Sequence, residues 1–168
     1  MKRDTILIFE DNAIDRAILV ELFQSDYKIL EASNGKEGIE LLNSHFASIA
    51  IVLLDNLMPI MDGFTVLEHL KERNILNKIP FIMLTAESSP EMERKGYEYG
   101  IVSYLKKPYQ PDVVKQVVYN AAGWFQYKMQ LELMVKKQNI NIQKQNSILR
   151  QQTKKLNQVN EILIDSLS

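Results

Sequence analysis

Five short apolar segments alternate with amphipathic segments between residues 5 and 107, and this alternation is the strongest constraint on the fold. The apolar segments are TILIF (5–9), KILEA (28–32), IAIVLLD (49–55), IPFIMLT (79–85) and VSYLKK (102–107). In the segments between them, apolar residues recur at helical spacing. Strands that alternate with helices form a parallel sheet covered on both faces. The sequence therefore predicts an α/β fold, doubly wound around five parallel strands.

Capping residues predict where three of the helices begin. Asn34 and Asp62 stand where the N-caps of the second and third helices are expected, and residues 88–90, Ser-Ser-Pro, stand before the fourth. Gly96 lies inside the fourth helix, where glycine costs about 1 kcal/mol relative to alanine. We expect this helix to be loosely formed.

The C-terminal part of the chain differs in charge from the rest. Residues 1–124 contain 13 Lys and Arg against 18 Asp and Glu, whereas residues 125–168 contain 7 against 3, which gives the totals of 20 and 21. The last glycine is Gly123, and no proline follows it. We predict a globular domain over residues 1–123 and an extended helical connector over residues 124–168.

The fifth helix is predicted to begin near Pro111 and to continue to the end of the sequence, with a heptad pattern in its second half. Position a is apolar throughout: Val135, Ile142, Leu149, Leu156 and Leu163. Position d is mostly polar: Leu131, Gln138, Gln145, Gln152, Val159 and Ser166. Position g adds Met134, Ile148 and Ile162 to the apolar stripe. A weak, parallel, dimeric coiled coil over residues 125–168 is favoured, and a single solvated helix is the alternative.

Composition excludes several classes of protein. The chain has no cysteine, so it has neither disulfides nor thiolate metal sites. Its apolar runs are too short to span a bilayer, and we expect a cytoplasmic protein with no membrane contact. The basic residues after residue 125 are spread around a helix without aromatic neighbours, which argues against binding to nucleic acid.

Polar and charged residues follow four of the five predicted strands. They are Glu10, Asp11, Asp55, Thr85 and Lys107. Taken singly, each has a structural explanation, such as a helix cap or an ordinary surface lysine. In an open α/β sheet, however, ligands bind beyond the carboxyl ends of the strands, where these residues meet.

The three carboxylates predict a cation site. Two carboxylates about 5 Å apart repel each other by roughly 3 kcal/mol at an effective dielectric of 20, so the cluster requires a positive charge. Oxygen ligands in small number favour Mg²⁺, which shares carboxylates with phosphate groups. With the Thr85 hydroxyl and the Lys107 ammonium opposite, the site can hold a phosphoryl group, and Asp55 is the candidate nucleophile.

Residues 4 to about 122 resemble the receiver domain of response regulators, the phosphoacceptor half of two-component signalling. The segments that carry the resemblance are ILIFEDN, LLDNLMPIMDG, IMLTA and YLKKP, in this order. The resemblance implies a flavodoxin-like fold with strand order 2-1-3-4-5. Asn56 departs from the apolar residue common at its position, and Ile101 from the usual alanine, which could alter packing beside the last strand.

The resemblance also implies a role for each site residue. Asp55 is expected to accept a phosphoryl group from a histidine kinase or a phosphotransfer protein. Mg²⁺ is expected to be held by Glu10, Asp11 and Asp55 together with the backbone carbonyl of Leu57. Thr85 and Lys107 are expected to bind the phosphoryl oxygens. Thr85 and Tyr104 together are expected to form the switch.

The last twenty residues, LRQQTKKLNQVNEILIDSLS, resemble the helical connector of regulators in which a receiver precedes an HD-type (HD-GYP) phosphohydrolase domain. A similar connector can precede a diguanylate cyclase domain. We therefore expect an output domain, acting on or making cyclic di-GMP, to be absent from this chain. A truncated fragment or a natural stub is the resulting hypothesis.

Two other functions compete with the phosphorylation switch. One is a scaffold that dimerises independently of phosphorylation, although a scaffold has no need of clustered carboxylates. The other, weaker, is a free-standing metal-dependent phosphatase. We predict that the chain is not an enzyme beyond catalysing its own phosphorylation and dephosphorylation.

Overall fold

The computed structural model describes residues 3–87 and 89–167, which form five strands and five helices. In chain order these are β1 (Thr5–Phe9), α1 (Ala13–Phe23), β2 (Lys28–Ala32), α2 (Gly35–His45), β3 (Ile49–Asp55), α3 (Gly63–Glu72), β4 (Phe81–Thr85), α4 (Pro90–Tyr99), β5 (Ser103–Lys106) and α5 (Pro111–Leu167). All neighbouring strands are parallel, in the order β2-β1-β3-β4-β5. The predicted doubly wound, flavodoxin-like fold is confirmed.

The sheet is buried on both faces because its central strands are apolar on both faces. Along β3, Val52 and Leu54 join one core cluster with side chains of α2 and α3. The residues that alternate with them, Ile51 and Leu53, join a second cluster with side chains of α1 and α5. Side chains alternate between the two faces of a strand, so a continuous apolar run is what two covered faces require.

Side-chain caps fix the starts of the first four helices. The backbone amides of Glu37 and Thr65 donate to the predicted caps, Asn34 (3.0 Å) and Asp62 (2.7 Å). On α4, Ser89 is the cap and accepts from the amide of Met92 at 3.2 Å. Ser88 lies outside the described residues. The first helix is capped by Asn12, whose side chain accepts from the amides of Ile14 and Asp15.

Gly96 has a packing role in α4 that its helix propensity did not indicate. A Cβ atom at this position would lie 2.0 Å from the Tyr104 hydroxyl oxygen and 2.6 Å from the Cδ1 atom of Ile101. Both distances are shorter than non-bonded atoms allow. Because glycine has no Cβ atom, Tyr104 and Ile101 can occupy the space where that atom would lie. Ile101 thus packs beside Gly96, and the glycine makes room for it. The expected difference from a packing with alanine at position 101 stays a prediction.

Contacts within the chain separate it into two units, one ending at Gln126 and the other beginning at Tyr127. The described residues of the second unit are α-helical. The apolar residues at heptad position a are all more than half exposed in the single chain, from Ile142 at 52% to Leu149 at 61%. The coiled-coil pairing of these residues stays a prediction. None of the described helices has the length and apolar content needed to cross a membrane.

Replacing Gly96 by alanine is expected to destabilise the fold, against the usual preference for alanine in a helix. The new Cβ atom must displace Tyr104 or Ile101 from a filled space, which typically costs 1–3 kcal/mol, more than the roughly 1 kcal/mol that alanine gains. Urea unfolding of Gly96→Ala measures the change.

Gly123→Ala is the matched control, because a Cβ atom at Gly123 in α5 meets nothing within 4 Å. This control should be neutral or slightly stabilising. Equal effects of the two substitutions would show that Gly96 has no packing role.

Candidate functional site

The carboxyl ends of three strands and the first turn of α1 bring one lysine and three carboxylates together. Glu10 directly follows β1, Asp55 ends β3 and Lys107 directly follows β5. The Lys107 Nζ atom lies 2.7 Å from Glu10 Oε2, 3.0 Å from Asp55 Oδ2 and 3.2 Å from Asp15 Oδ2. The lysine therefore neutralises part of an acidic cluster at the edge of the sheet.

Glu10 is the most deeply buried member of the cluster, with 0% of its surface exposed. Its Oε1 atom accepts from the Asn12 amide at 3.2 Å, and its Oε2 atom accepts from the Tyr109 hydroxyl at 3.4 Å. Burial raises the pKa of Glu10 to about 7, although the hydrogen bond from Lys107 opposes this effect. A charged Glu10 thus depends on cations beside it.

Burial and neighbouring charges also act on the pKa of Lys107, and here the two effects oppose each other. Burial alone lowers the pKa of this lysine, but hydrogen bonds to Glu10 and Asp55 and their negative charges outweigh burial and leave the pKa raised. Lys107 is therefore a permanent cation of the site at neutral pH.

Glu10, Asp11 and Asp55 also have the geometry of a metal site. One carboxylate oxygen from each lies within 4.8 Å of the other two. Asp11 is exposed, whereas Glu10 and Asp55 are buried. The backbone amide of Leu57 donates to Asp55 Oδ1 at 3.3 Å, so the chain turns closely around this carboxylate. Three convergent oxygen ligands of this kind suit Mg²⁺, which keeps water in its remaining positions.

Thr85 and Tyr104, the two predicted switch residues, have their hydroxyls bonded outside the cluster. Thr85 ends β4 and is buried, and its hydroxyl donates to the carbonyl of Glu87. The Tyr104 hydroxyl donates to the carbonyl of Met92 in α4 at 2.7 Å. Tyr104 thus connects β5 to α4, next to the space left by Gly96.

Four residues near the site were not predicted from sequence. Asp15 lies four residues after Asp11, and this short separation from the acidic pair was an available signal. Arg16 donates to the carbonyl of Glu10 at 2.7 Å and pairs with a glutamate of β2. Tyr109 reaches Glu10, as described above.

Asn56 was noted in the sequence only because it differs from the apolar residue common at this position in the family. It is buried, and its Oδ1 atom has no hydrogen-bond partner among the described residues.

Comparison with known proteins gives one family and relatives of several kinds. Residues 6–119 match the family described as Response regulator receiver domain. A probable transcriptional regulator, ycf29, of Porphyra purpurea is 32% identical over 71% of this chain and 56% of its own length. A probable cyclic di-GMP phosphodiesterase of Vibrio cholerae is 36% identical over 68% of this chain and 26% of its own length. The chain thus spans about half of the first relative and about a quarter of the second.

A solved structure with the same fold holds ligands in its complex. It is the CheX-CheY-BeF3-Mg²⁺ complex from Borrelia burgdorferi, 28% identical, with a TM-score of 0.65 over 70% of this chain and 87% of that one.

Mg²⁺ at millimolar concentration is expected to raise the melting temperature of this chain, and to raise that of Asp11→Ala less. Binding to the folded state alone stabilises it by about 1.4 kcal/mol at ten times the dissociation constant, and removing one of three carboxylates weakens binding. Thermal unfolding with and without MgCl₂ measures both shifts.

Glu40→Ala is the control, because Glu40 is exposed on α2 and lies outside the cluster. Its Mg²⁺-induced shift should equal that of the wild type. Equal shifts in all three proteins would place the metal site elsewhere.

Proposed function

The chain belongs to the response regulator receiver domain family of two-component signalling, and on that premise we propose that it is a phosphorylation switch. In this proposal Asp55 accepts a phosphoryl group from a histidine kinase or a phosphotransfer protein. The chain acts on its own phosphoryl group and on no separate substrate. The observation that carries the proposal is the position of Asp55. One of its carboxylate oxygens lies 3.0 Å from Lys107, and the carboxylates of Glu10 and Asp11 lie beside it.

The proposed reaction uses Asp55 as nucleophile. A carboxylate oxygen of Asp55 attacks the phosphorus atom while the bond between phosphorus and the donor breaks, and the donor leaves with the electron pair. Glu10, Asp11 and Asp55, with the Leu57 carbonyl, would hold the Mg²⁺. When bound, this ion supplies positive charge that stabilises the transferring phosphoryl group. Lys107 donates an N–H group to a phosphoryl oxygen, which a raised pKa favours because the ammonium stays charged.

The proposed switch starts at Thr85. Its hydroxyl now donates to the Glu87 carbonyl, and in the phosphorylated state it donates to a phosphoryl oxygen instead. The movement vacates space on the face of the sheet where Tyr104 packs, since Thr85 and Tyr104 lie on neighbouring strands. Tyr104 then exchanges its bond to Met92 for an inward position, which changes the surface formed by α4 and β5.

The connector over residues 124–168 is proposed to carry the signal as a parallel homodimeric coiled coil. The exposed apolar residues at heptad position a support this, because an isolated helix gains nothing from exposing such a stripe. A domain that acts on or makes cyclic di-GMP is the proposed output of the whole protein. Support comes from a relative named as a probable cyclic di-GMP phosphodiesterase, of which this chain spans only 26%.

Incubation with acetyl phosphate and Mg²⁺ is expected to add one phosphoryl group to the wild-type chain and none to Asp55→Asn. The amide of asparagine is too weak a nucleophile to replace the carboxylate. Intact-protein mass spectrometry measures the added mass. Asp62→Asn is the control, because Asp62 caps α3 and asparagine caps a helix equally well, so this variant should be phosphorylated. Phosphorylation that persists in Asp55→Asn would exclude Asp55 as the acceptor.

Sedimentation of the full chain is expected to show a dimer that Leu149→Asp abolishes. Leu149 occupies position a, where a charge must be buried at the helix–helix interface. Gln151→Asp, two residues away at the outer position c, is the matched control and should dimerise like the wild type. A wild type that stays monomeric at high micromolar concentration would contradict the proposed connector.

A further inference from the structure

The contacts of Lys107 assign a role to Asp15, a residue that neither the sequence motifs nor the metal cluster includes. We propose that Asp15 is a positioning residue that keeps the Lys107 ammonium at the site while a divalent cation occupies the other carboxylates. This inference rests on the proposed function and adds a requirement to it. Phosphoryl transfer at Asp55 then depends on a fourth carboxylate that touches neither the metal nor the phosphoryl group.

The Lys107 ammonium lies within ion-pair distance of as many carboxylates as it has N–H donors. An ammonium group has three N–H donors and no acceptor. Three different carboxylates lie within ion-pair distance of it: Glu10 at 2.7 Å, Asp55 at 3.0 Å and Asp15 at 3.2 Å. Each carboxylate can therefore take one N–H group, and a phosphoryl oxygen must replace one of the three.

The three carboxylates differ in what happens to them when a cation binds. Glu10 and Asp55 belong to the cluster with Asp11 that can hold a metal ion, whereas Asp15 does not. A divalent cation on that cluster takes up carboxylate lone pairs and repels the nearby ammonium. Asp15 is then the carboxylate that still attracts Lys107, and it holds the lysine beside the metal instead of letting it swing into solvent.

Asp15 does not serve as a helix cap. It is the third residue of α1, the position at which an acidic side chain often bonds back to the backbone amide of the cap residue. Here that amide, of Asn12, donates to Glu10 Oε1 at 3.2 Å. The Asn12 side chain meanwhile accepts from the amides of Ile14 and Asp15 at 2.9 and 3.1 Å. With capping done by Asn12 and Glu10, the Asp15 carboxylate is directed to Lys107.

The backbone of Asp15 is fixed well enough for this role. Its amide is bonded to Asn12, and the neighbouring Arg16 is tied to the carbonyl of Glu10 at 2.7 Å. Among the residues that the structure describes, Lys107 is the only basic side chain within ion-pair distance of Asp15. The Asp15 side chain is 30% exposed, so it can follow a small shift of the lysine without losing a buried contact.

The test compares initial rates of phosphorylation by acetyl phosphate in the wild type, Asp15→Asn, Asp15→Glu and Glu21→Gln. In each reaction an Asp55 oxygen bonds to phosphorus, the phosphorus–oxygen bond to acetate breaks, and acetate leaves with the electron pair. At saturating Mg²⁺ we expect Asp15→Asn to react about tenfold more slowly, because a neutral amide holds the ammonium less firmly. Asp15→Glu, which keeps the charge, should recover part of the rate. Glu21→Gln, on the same helix but remote from Lys107, should match the wild type.

Mg²⁺ affinity, measured by titration calorimetry, separates positioning from metal binding and from loss of structure. For Asp15→Asn it should change by less than about fivefold, since only a partly exposed charge near the ion is lost. A large loss of affinity, with a normal rate at saturating Mg²⁺, would make Asp15 a metal ligand and overturn the proposal. An unchanged or faster rate in Asp15→Asn beside a phosphorylated wild type would also overturn it, and would leave the proposed function intact. A wild type that gains no phosphoryl group would overturn both.

Discussion

The ammonium of Lys107 is the interaction on which the candidate site depends. Glu10 and Asp55 are buried at the edge of the sheet, where two like charges repel strongly and neither is well solvated. One cation lies within 3.0 Å of both and offsets part of this repulsion. Burial nevertheless raises the pKa of Glu10 to about 7, so the lysine offsets only part of the cost of burying this charge. The cluster therefore combines a buried lysine contact with three carboxylates whose geometry suits a metal ion.

The fold supplies this arrangement through strand ends and close backbone approaches. β1, β3 and β5 are parallel members of one sheet, so their last residues reach the same edge. Just beyond β3, the amide of Gly63 donates to the carbonyl of Asn56 at 2.9 Å, and a Cβ atom at Gly63 would lie 2.6 Å from the Asp55 carbonyl. The start of α3 is thus packed against the residue that carries the candidate nucleophile. A rigid strand end on one side and a helix start on the other limit how far Asp55 can move.

The alternation of apolar runs was sufficient to predict the sheet, and the residues after four of the five runs included most of the charged side chains that lie together at its edge. What the sequence did not reveal depends on side-chain direction. Asp15 reads as an ordinary acidic residue in the first turn of a helix until its distance to Lys107 is known. From sequence, Gly96 is expected to weaken its helix, because helix propensity describes an isolated helix. In the fold, the missing side chain of Gly96 leaves room for Tyr104 and Ile101 to pack. Tertiary contacts between distant segments have no signature in the local pattern.

The polar d positions of the connector agree with a signalling role better than with a purely structural one. A phosphoryl group can shift an equilibrium only by the difference in its interaction free energy between two states, typically a few kcal/mol. A helix pair with apolar residues at every core position would be too stable for such a difference to rearrange. Gln138, Gln145 and Gln152 occupy three successive d positions, while position a stays apolar. In the proposed dimer these glutamines keep the pairing weak in free energy and able to change register, which is the range that phosphorylation of Asp55 can influence.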